Sequence, residues 1–134
     1  MSEKPGTSDA DNLAAAFAAA DKGDAAPLVE LFHDDMTWAG FTLSGTQQIY
    51  SKSEFLEAFG VLAKVDEFAN EVTRTETTPE GLVVAWIRVY RKFGDKILDV
   101  TMLTTHQFVD GKITRSTDIC PPAFAEYWAS TGLV

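Results

Sequence analysis

The sequence predicts an α+β domain, with helices first and a sheet of long antiparallel strands after them. Two observations predict it. Apolar stripes with helical spacing fill the first half of the 134-residue chain. From residue 67 onward the pattern changes to extended segments, of which 82–93 and 97–109 are long and apolar, punctuated by Pro79-Glu80-Gly81, Gly94-Asp95 and Asp110-Gly111. Such short turn sequences join antiparallel neighbours, and helices followed by strands is the order of an α+β domain.

Each element has its own justification. Residues 1–8 are small and polar, with Pro5 and Gly6, and read as disordered, leaving one domain over 9–134. Leu13, Ala16, Phe17 and Ala20 fall at i, i+3, i+4 and i+7, one apolar stripe on a first helix. Gly23 can end it, and Asp24 can cap a second helix whose inward face is Leu28, Leu31 and Phe32. Asp34-Asp35 breaks that pattern, and 36–41 reads as a short strand. Ser51-x-x-Glu54 is a capping box, in which serine and glutamate each satisfy a free backbone N–H of the first turn. It opens a third helix that turns Phe55, Leu56, Phe59 and Leu62 inward. Strands follow over 67–77, 82–93, 97–109 and 112–119. Pro121-Pro122 stops the last one, and Phe124, Tyr127 and Trp128 suggest a short terminal helix or flap.

Bulk properties narrow the partners. A net charge of −9 argues against nucleic acid or an anionic membrane surface and favours a neutral or cationic ligand. No apolar run is long enough to span a bilayer, and residues 1–12 hold no apolar core of a secretory signal. The single Cys120 excludes an internal disulfide and fits a reducing, cytoplasmic location. His33 and His106 have no metal-ligand spacing, so no metal or other cofactor is implied. In 82–93 both faces are apolar: Val83, Ala85, Ile87 and Val89 on one, Leu82, Val84, Trp86 and Tyr90 on the other. A strand with one solvated face would alternate more cleanly, so something should cover the second face.

The segment Gly111-Lys112-Ile113-Thr114-Arg115-Ser116-Thr117-Asp118 ends the sheet on an aspartate five positions beyond the isoleucine. With helices first and this strand last, the chain resembles the nuclear-transport-factor-2-like superfamily, also called SnoaL-like or ketosteroid-isomerase-like. The resemblance implies a cone-shaped curved antiparallel sheet, covered on its concave face by N-terminal helices, with an apolar pocket between them. It also implies a homodimer packed sheet to sheet, here through the face bearing Trp86 and Tyr90. In the polyketide cyclases and limonene epoxide hydrolases of this superfamily the corresponding aspartate is a general acid or base, which implies that role for Asp118. A carboxyl in an apolar pocket has a raised pKa, which suits proton transfer near neutrality. The competing reading is a strand-end aspartate that bonds a turn or faces water.

Strand register decides between the two. A tight two-residue turn at Asp110-Gly111 pairs Val109 with Lys112 and sets Asp118 across from Leu103. A three-residue loop with Gly111 as its bulge pairs Phe108 with Lys112 and sets Asp118 across from Met102, on the face of Thr104 and His106. Both turns suit Asp-Gly, and a one-residue slip flips every side chain. The resemblance favours the bulge. On that reading Trp38, Phe55, Phe59, Met102 and Thr104 bind substrate while Asp118 and His106 move protons; a core histidine bonded to its neighbours is the alternative for His106.

The departures from the resembling families are informative. Ketosteroid isomerases carry a tyrosine and two aspartates where this chain has Ala16, Gly40 and Thr104, so that chemistry is not expected. Trp38 and Gly40 stand for the tyrosine and asparagine of the epoxide hydrolases, and Arg88-Val89-Tyr90 matches their arginine–aspartate pair only after a one-residue shift. A surface or dimer-face position is expected for Arg88. What remains is single-aspartate acid/base chemistry on a small ring compound: cyclisation, isomerisation or hydration. The alternative is a non-catalytic binding or dimerisation module of the same fold.

Overall fold

The computed structural model describes residues 8–134. The disorder expected of residues 1–8 falls outside that range except at Ser8, which is described and ordered. Ser8 is the N-cap of α1 (Asp9–Asp21), its hydroxyl accepting from the Asp11 N–H at 3.1 Å. That helix buries Leu13, Ala16 and Phe17, the stripe read from the sequence. The Asp24 carboxylate accepts from the Ala26 N–H at 3.3 Å at the start of α2 (Ala26–Leu31). Phe32 leaves the helix and enters β1 (Phe32–Phe41), a strand four residues longer than the sequence suggested. Next comes β2 (Gln47–Ser51), which the sequence reading missed. Its last residue caps α3 (Lys52–Ala58), and the predicted capping box is formed: Glu54 N–H donates to Ser51 Oγ at 3.3 Å, and Ser51 N–H to Glu54 Oε1 at 2.9 Å. A 3-10 helix, Phe59–Lys64, carries the chain on to the long strands. These are β3 (Glu67–Thr77), β4 (Val83–Phe93), β5 (Lys96–Val109) and β6 (Lys112–Asp118), followed by α4 (Pro122–Thr131).

The strands form one curved, unclosed sheet in the order β2-β1-β6-β5-β4-β3. Its hairpins are antiparallel, but β1 and β6 run parallel, with Thr37 opposite Arg115 and Ala39 opposite Thr117. The antiparallel sheet expected from the sequence is corrected at this one pair. No hairpin joins β1 to β6; the chain between them passes through every other strand, so direction is free of the hairpin constraint. Val83, Ala85, Ile87 and Val89 point to the inner face and share one core with Leu13, Phe17, Phe32, Met36 and Trp128.

The last hairpin follows neither register drawn from the sequence. Asp110 (φ 51°) and Gly111 (φ 80°) make the tight turn with two left-handed residues, and Val109 pairs with Lys112. The extra residue lies further along, inside β6. Phe108 pairs with Ile113 and Gln107 with Arg115, so Thr114 is a bulge. Its hydroxyl donates to the Gln107 carbonyl at 3.2 Å, within the locally broken ladder. The inserted residue changes the parity, and Asp118 pairs with Thr104 instead of Leu103 or Met102. It therefore reaches the inner face by a different route from the expected one.

The outer face is apolar but dressed with cations. Arg74 lies 4.5 Å over the Trp86 ring and Arg88 5.3 Å over the Tyr90 ring. Arg88 donates to both oxygens of Asp99, at 2.9 and 2.7 Å. Arg88 and Tyr90 thus face away from the interior, and Leu103, opposite Trp86, is 48% exposed.

Candidate functional site

Between the helices and the inner sheet face lies a cavity of about 340 Å³. The strands supply its floor: Trp38 and Gly40 from β1, Tyr50 from β2, Met102 and Thr104 from β5, Asp118 from β6. Phe55, Phe59, Phe124 and Trp128 supply aromatic walls, and Arg91 and Asn70 also border it. A mostly apolar hollow with few polar groups is the usual make-up of a small-molecule site. Asp118, Trp38, Phe55, Phe59, Met102 and Thr104, singled out from the sequence, all border it; His106 does not.

Asp118 is seated by its neighbours in the sheet. Because Ala39 pairs with Thr117, Gly40 falls beside Asp118. A Cβ at position 40 would stand 2.6 Å from Asp118 Oδ1 and 3.2 Å from the Trp38 ring. Only glycine leaves that space open. Burial raises the Asp118 carboxyl from 3.8 to about 6, because the low-dielectric wall disfavours its charge. The Trp38 indole N–H pulls in the opposite direction. Among the described residues, however, both Asp118 Oδ1 and Trp38 Nε1 are buried without a well-formed hydrogen bond. The indole N–H thus neighbours the carboxyl without being aligned on it. Trp38 itself is held firmly, stacked on Phe55 at 4.1 Å between ring centroids and edge-on to Phe32 at 6.1 Å.

The expected proton-carrying role of His106 is not met by its geometry. The ring is 1% exposed and lies behind Thr104 and Trp38. Thr104 Oγ1 gives its single proton to the Ala85 carbonyl at 3.2 Å, so it must accept from His106 Nε2 at 2.8 Å. His106 Nδ1 is then the acceptor for Ser116 Oγ at 2.7 Å. Both nitrogens are satisfied in one neutral tautomer, and burial pushes the imidazole down to about 4. This is the geometry of the alternative reading, a core histidine bonded to its neighbours. His33 is an exposed residue, its Nδ1 accepting from the Asp35 N–H at 3.0 Å. Tyr50 borders the cavity, but its hydroxyl donates to the Phe41 carbonyl at 2.9 Å; burial, then the Asp118 charge, raise its pKa.

Sequence reading missed Arg91. It is 5% exposed and follows the buried alternation Val83, Ala85, Ile87, Val89, so its parity was the available signal. Arg91 Nη1 donates to the carbonyls of Ala69 at 3.0 Å and Tyr90 at 2.8 Å, and Nη2 donates to Asn70 Oδ1 at 2.8 Å. The Asn70 N–H in turn donates to both Asp21 oxygens at 2.9 Å. Burial lowers the Arg91 guanidinium to about 10, offset by the charge of Asp21.

The family model of the SnoaL-like domain matches residues 13–116. No curated protein sequence matches the chain. Among solved structures, Bal32a from a soil-derived mobile gene cassette superposes with a TM-score of 0.77 at 22% identity, over 90% of this chain and 95% of that one. Wild-type IdmH from Streptomyces antibioticus, described as a candidate polyketide cyclase, gives 0.76 at 16% identity over 92% and 99%. TerC, co-crystallised with polyporic acid, gives 0.73 at 15% identity over 89% and 96%. At such identities the structural likeness carries the fold alone. The family match extends from the first helix to the last strand, and on it the chain belongs to the SnoaL-like domain family.

Proposed function

We propose that the protein performs polyketide-cyclase-type acid/base chemistry on a small ring-forming or cyclic compound, with Asp118 as the proton carrier. The observation that carries this reading is the seat of Asp118: a carboxyl at about 6, one oxygen unpartnered among the described residues, set in an apolar cavity over Gly40. A group with that pKa is part carboxylate and part acid near neutrality, so it can both take and return a proton. In an aldol closure the carboxylate removes a proton from carbon beside a carbonyl. The resulting enolate forms the new C–C bond to a second carbonyl carbon, whose π pair moves to oxygen. The protonated Asp118 then returns its proton to that alkoxide. Trp38, Phe55, Phe59 and Met102 hold the apolar body of the substrate. Support at family level comes from the candidate polyketide cyclase among the structural relatives, and from the relative co-crystallised with polyporic acid. The lone Cys120 suits a reducing cytoplasm.

The test is Asp118→Asn, assayed for turnover on cyclic ketones, epoxides and linear polyketone precursors, and for ligand binding by tryptophan fluorescence. Asparagine keeps the shape but takes up no proton. Lost turnover with retained binding is the expected outcome; full turnover in the variant would remove Asp118 from the mechanism. A binding module without turnover is the second reading. It is favoured by the isolation of Asp118, since the His106 ring is walled off and the Tyr50 hydroxyl is engaged. That reading expects no turnover in the wild type, and binding that the variant leaves nearly unchanged.

A further inference from the structure

The end of the cavity remote from Asp118 holds a second polar group. Asp118 pairs with Thr104, which pairs with Ala85; Arg91 is six residues further along β4. At roughly 3.3 Å per residue the two side chains start on the order of 20 Å apart along the sheet. Both nevertheless border the same hollow.

Arg91 is an unusual occupant of an apolar wall. A buried charge is normally paired. No carboxylate among the described residues comes within ion-pair distance of this guanidinium. Asp21 acts on it at longer range by charge, and by hydrogen bonds only through Asn70. Arg91 Nε is buried without a hydrogen-bond partner among the described residues, and so is Trp128 Nε1, on a side chain 1% exposed that borders the same cavity. The Tyr127 hydroxyl, next to Trp128, is a third such group. Arg91 and Trp128 thus border one cavity, each with a donor left without an acceptor, and a guanidinium with no carboxylate in ion-pair reach matches an anionic oxygen, since hydrogen bonds from a charged donor to a charged acceptor are the strong ones.

We propose that the Arg91 end of the cavity is an anion subsite, in which Arg91 and Trp128 bind a carboxylate or ionised enol oxygen of a flat, otherwise apolar ligand whose opposite end reaches Asp118. This deepens the reading of the cavity as a ligand site and rests on it. It also revises the ligand chemistry drawn from composition. The net charge of −9 opposes an anion at long range, but that field is screened within about 8 Å at physiological salt, whereas a buried guanidinium acts at contact. The arrangement separates recognition from reaction: the anion is held far from the carboxylate that would repel it.

The experiment compares a series of aryl carboxylic acids of two to four fused rings with their methyl esters, at pH 8, by quenching of tryptophan fluorescence. The wild type should bind the acid at least about tenfold more tightly than its ester, the range of one charge-assisted bond. Arg91→Met should abolish that preference while leaving ester affinity in place. Trp128→Phe, which removes one donor and keeps an aromatic wall, should reduce the preference by a few fold and serves if Arg91→Met fails to fold. A guanidinium that only straps β3 to β4 would change the melting temperature in Arg91→Met and leave the acid preference intact, which would overturn the proposal. So would equal binding of acid and ester by the wild type. Asp118→Asn should keep the preference; an acid bound more tightly by that variant would place the anion at the wrong end. Esters that bind without any advantage for the acid defeat this proposal and spare the cavity reading. Failure of both series up to millimolar concentration defeats both.

Discussion

Burial pushes the Asp118 carboxyl up to about 6 and the His106 imidazole down to about 4, and both shifts disfavour charge. Their effects on stability run in opposite directions with pH. Asp118 binds its proton more tightly folded than unfolded, so its contribution is full below about 4 and is lost as pH rises through about 6. His106 binds its proton less tightly when folded, so its contribution is full above about 6.5 and is lost as pH falls through about 4. Each shift corresponds to about 3 kcal/mol. Over the shared window the two slopes offset. Wild-type melting temperature should therefore change little with these groups between about pH 4 and 6. Asp118→Asn should melt higher than wild type at pH 7.5, by the order of 2 kcal/mol, and lose that advantage near pH 4, exposing the His106 slope. Melting scans across that range check it; an Asn variant no more stable at pH 7.5 would mean that burial does not penalise the ionised carboxyl. At this scale the sequence was legible where parity was simple. Trp38, Met102 and Thr104 fall on the cavity side as their strands require. Arg91 was overlooked because a charge on a long strand reads as solvent-facing, although its position in the alternation is a buried one.

Among the elements, β3 was read with the bounds it has, and β4 and β5 each to within one residue; for β4 and β5 the reason is that long apolar runs between turn residues have few other solutions. β2 escaped because Gln47-Gln48-Ile49-Tyr50-Ser51 shows little alternation; it is an edge strand, and four of its five residues are exposed. The bulge at Thr114 was not readable at all, since nothing in a short polar run marks which residue will be left unpaired. That residue nevertheless decides where Asp118 points. Deleting Thr114 should restore an uninterrupted ladder from Val109–Lys112, set the aspartate against Leu103 and turn it to the outer face. Ser116 would turn with it and leave His106 Nδ1 without its donor, at a cost of about 1–3 kcal/mol. The carboxyl should then titrate near 4, an ordinary value. Carbon-13 titration of the side chain and a melting curve follow both effects, and a deletion variant whose aspartate still titrates near 6 would show that the bulge does not set its facing.

For the molecule as a whole, the sequence conveyed the layering of helices on a sheet, while the direction of one strand pair lay beyond it. We propose that the outer face around Trp86 and Leu103 packs against a second copy of the chain, as the apolar parity of β4 suggested. Trp86→Glu should then convert a dimer to a monomer at micromolar concentration in sedimentation velocity, and a monomeric wild type would count against the interface. The parallel seam between β1 and β6 has a temporal consequence. Trp38 and Ser116 meet there across most of the chain, whereas the hairpins of β3, β4 and β5 join near neighbours. Long-range pairing is slow because the chain closes a large loop before any contact rewards it. The seam that brings Gly40 to Asp118 should be the last part of the sheet to zip during refolding and the first to breathe in the native state. Amide hydrogens of Trp38 and Ala39 should exchange with solvent faster than those of Ala85 and Ile87. Uniform exchange across all four would instead mean that the cavity and the scaffold open as one unit.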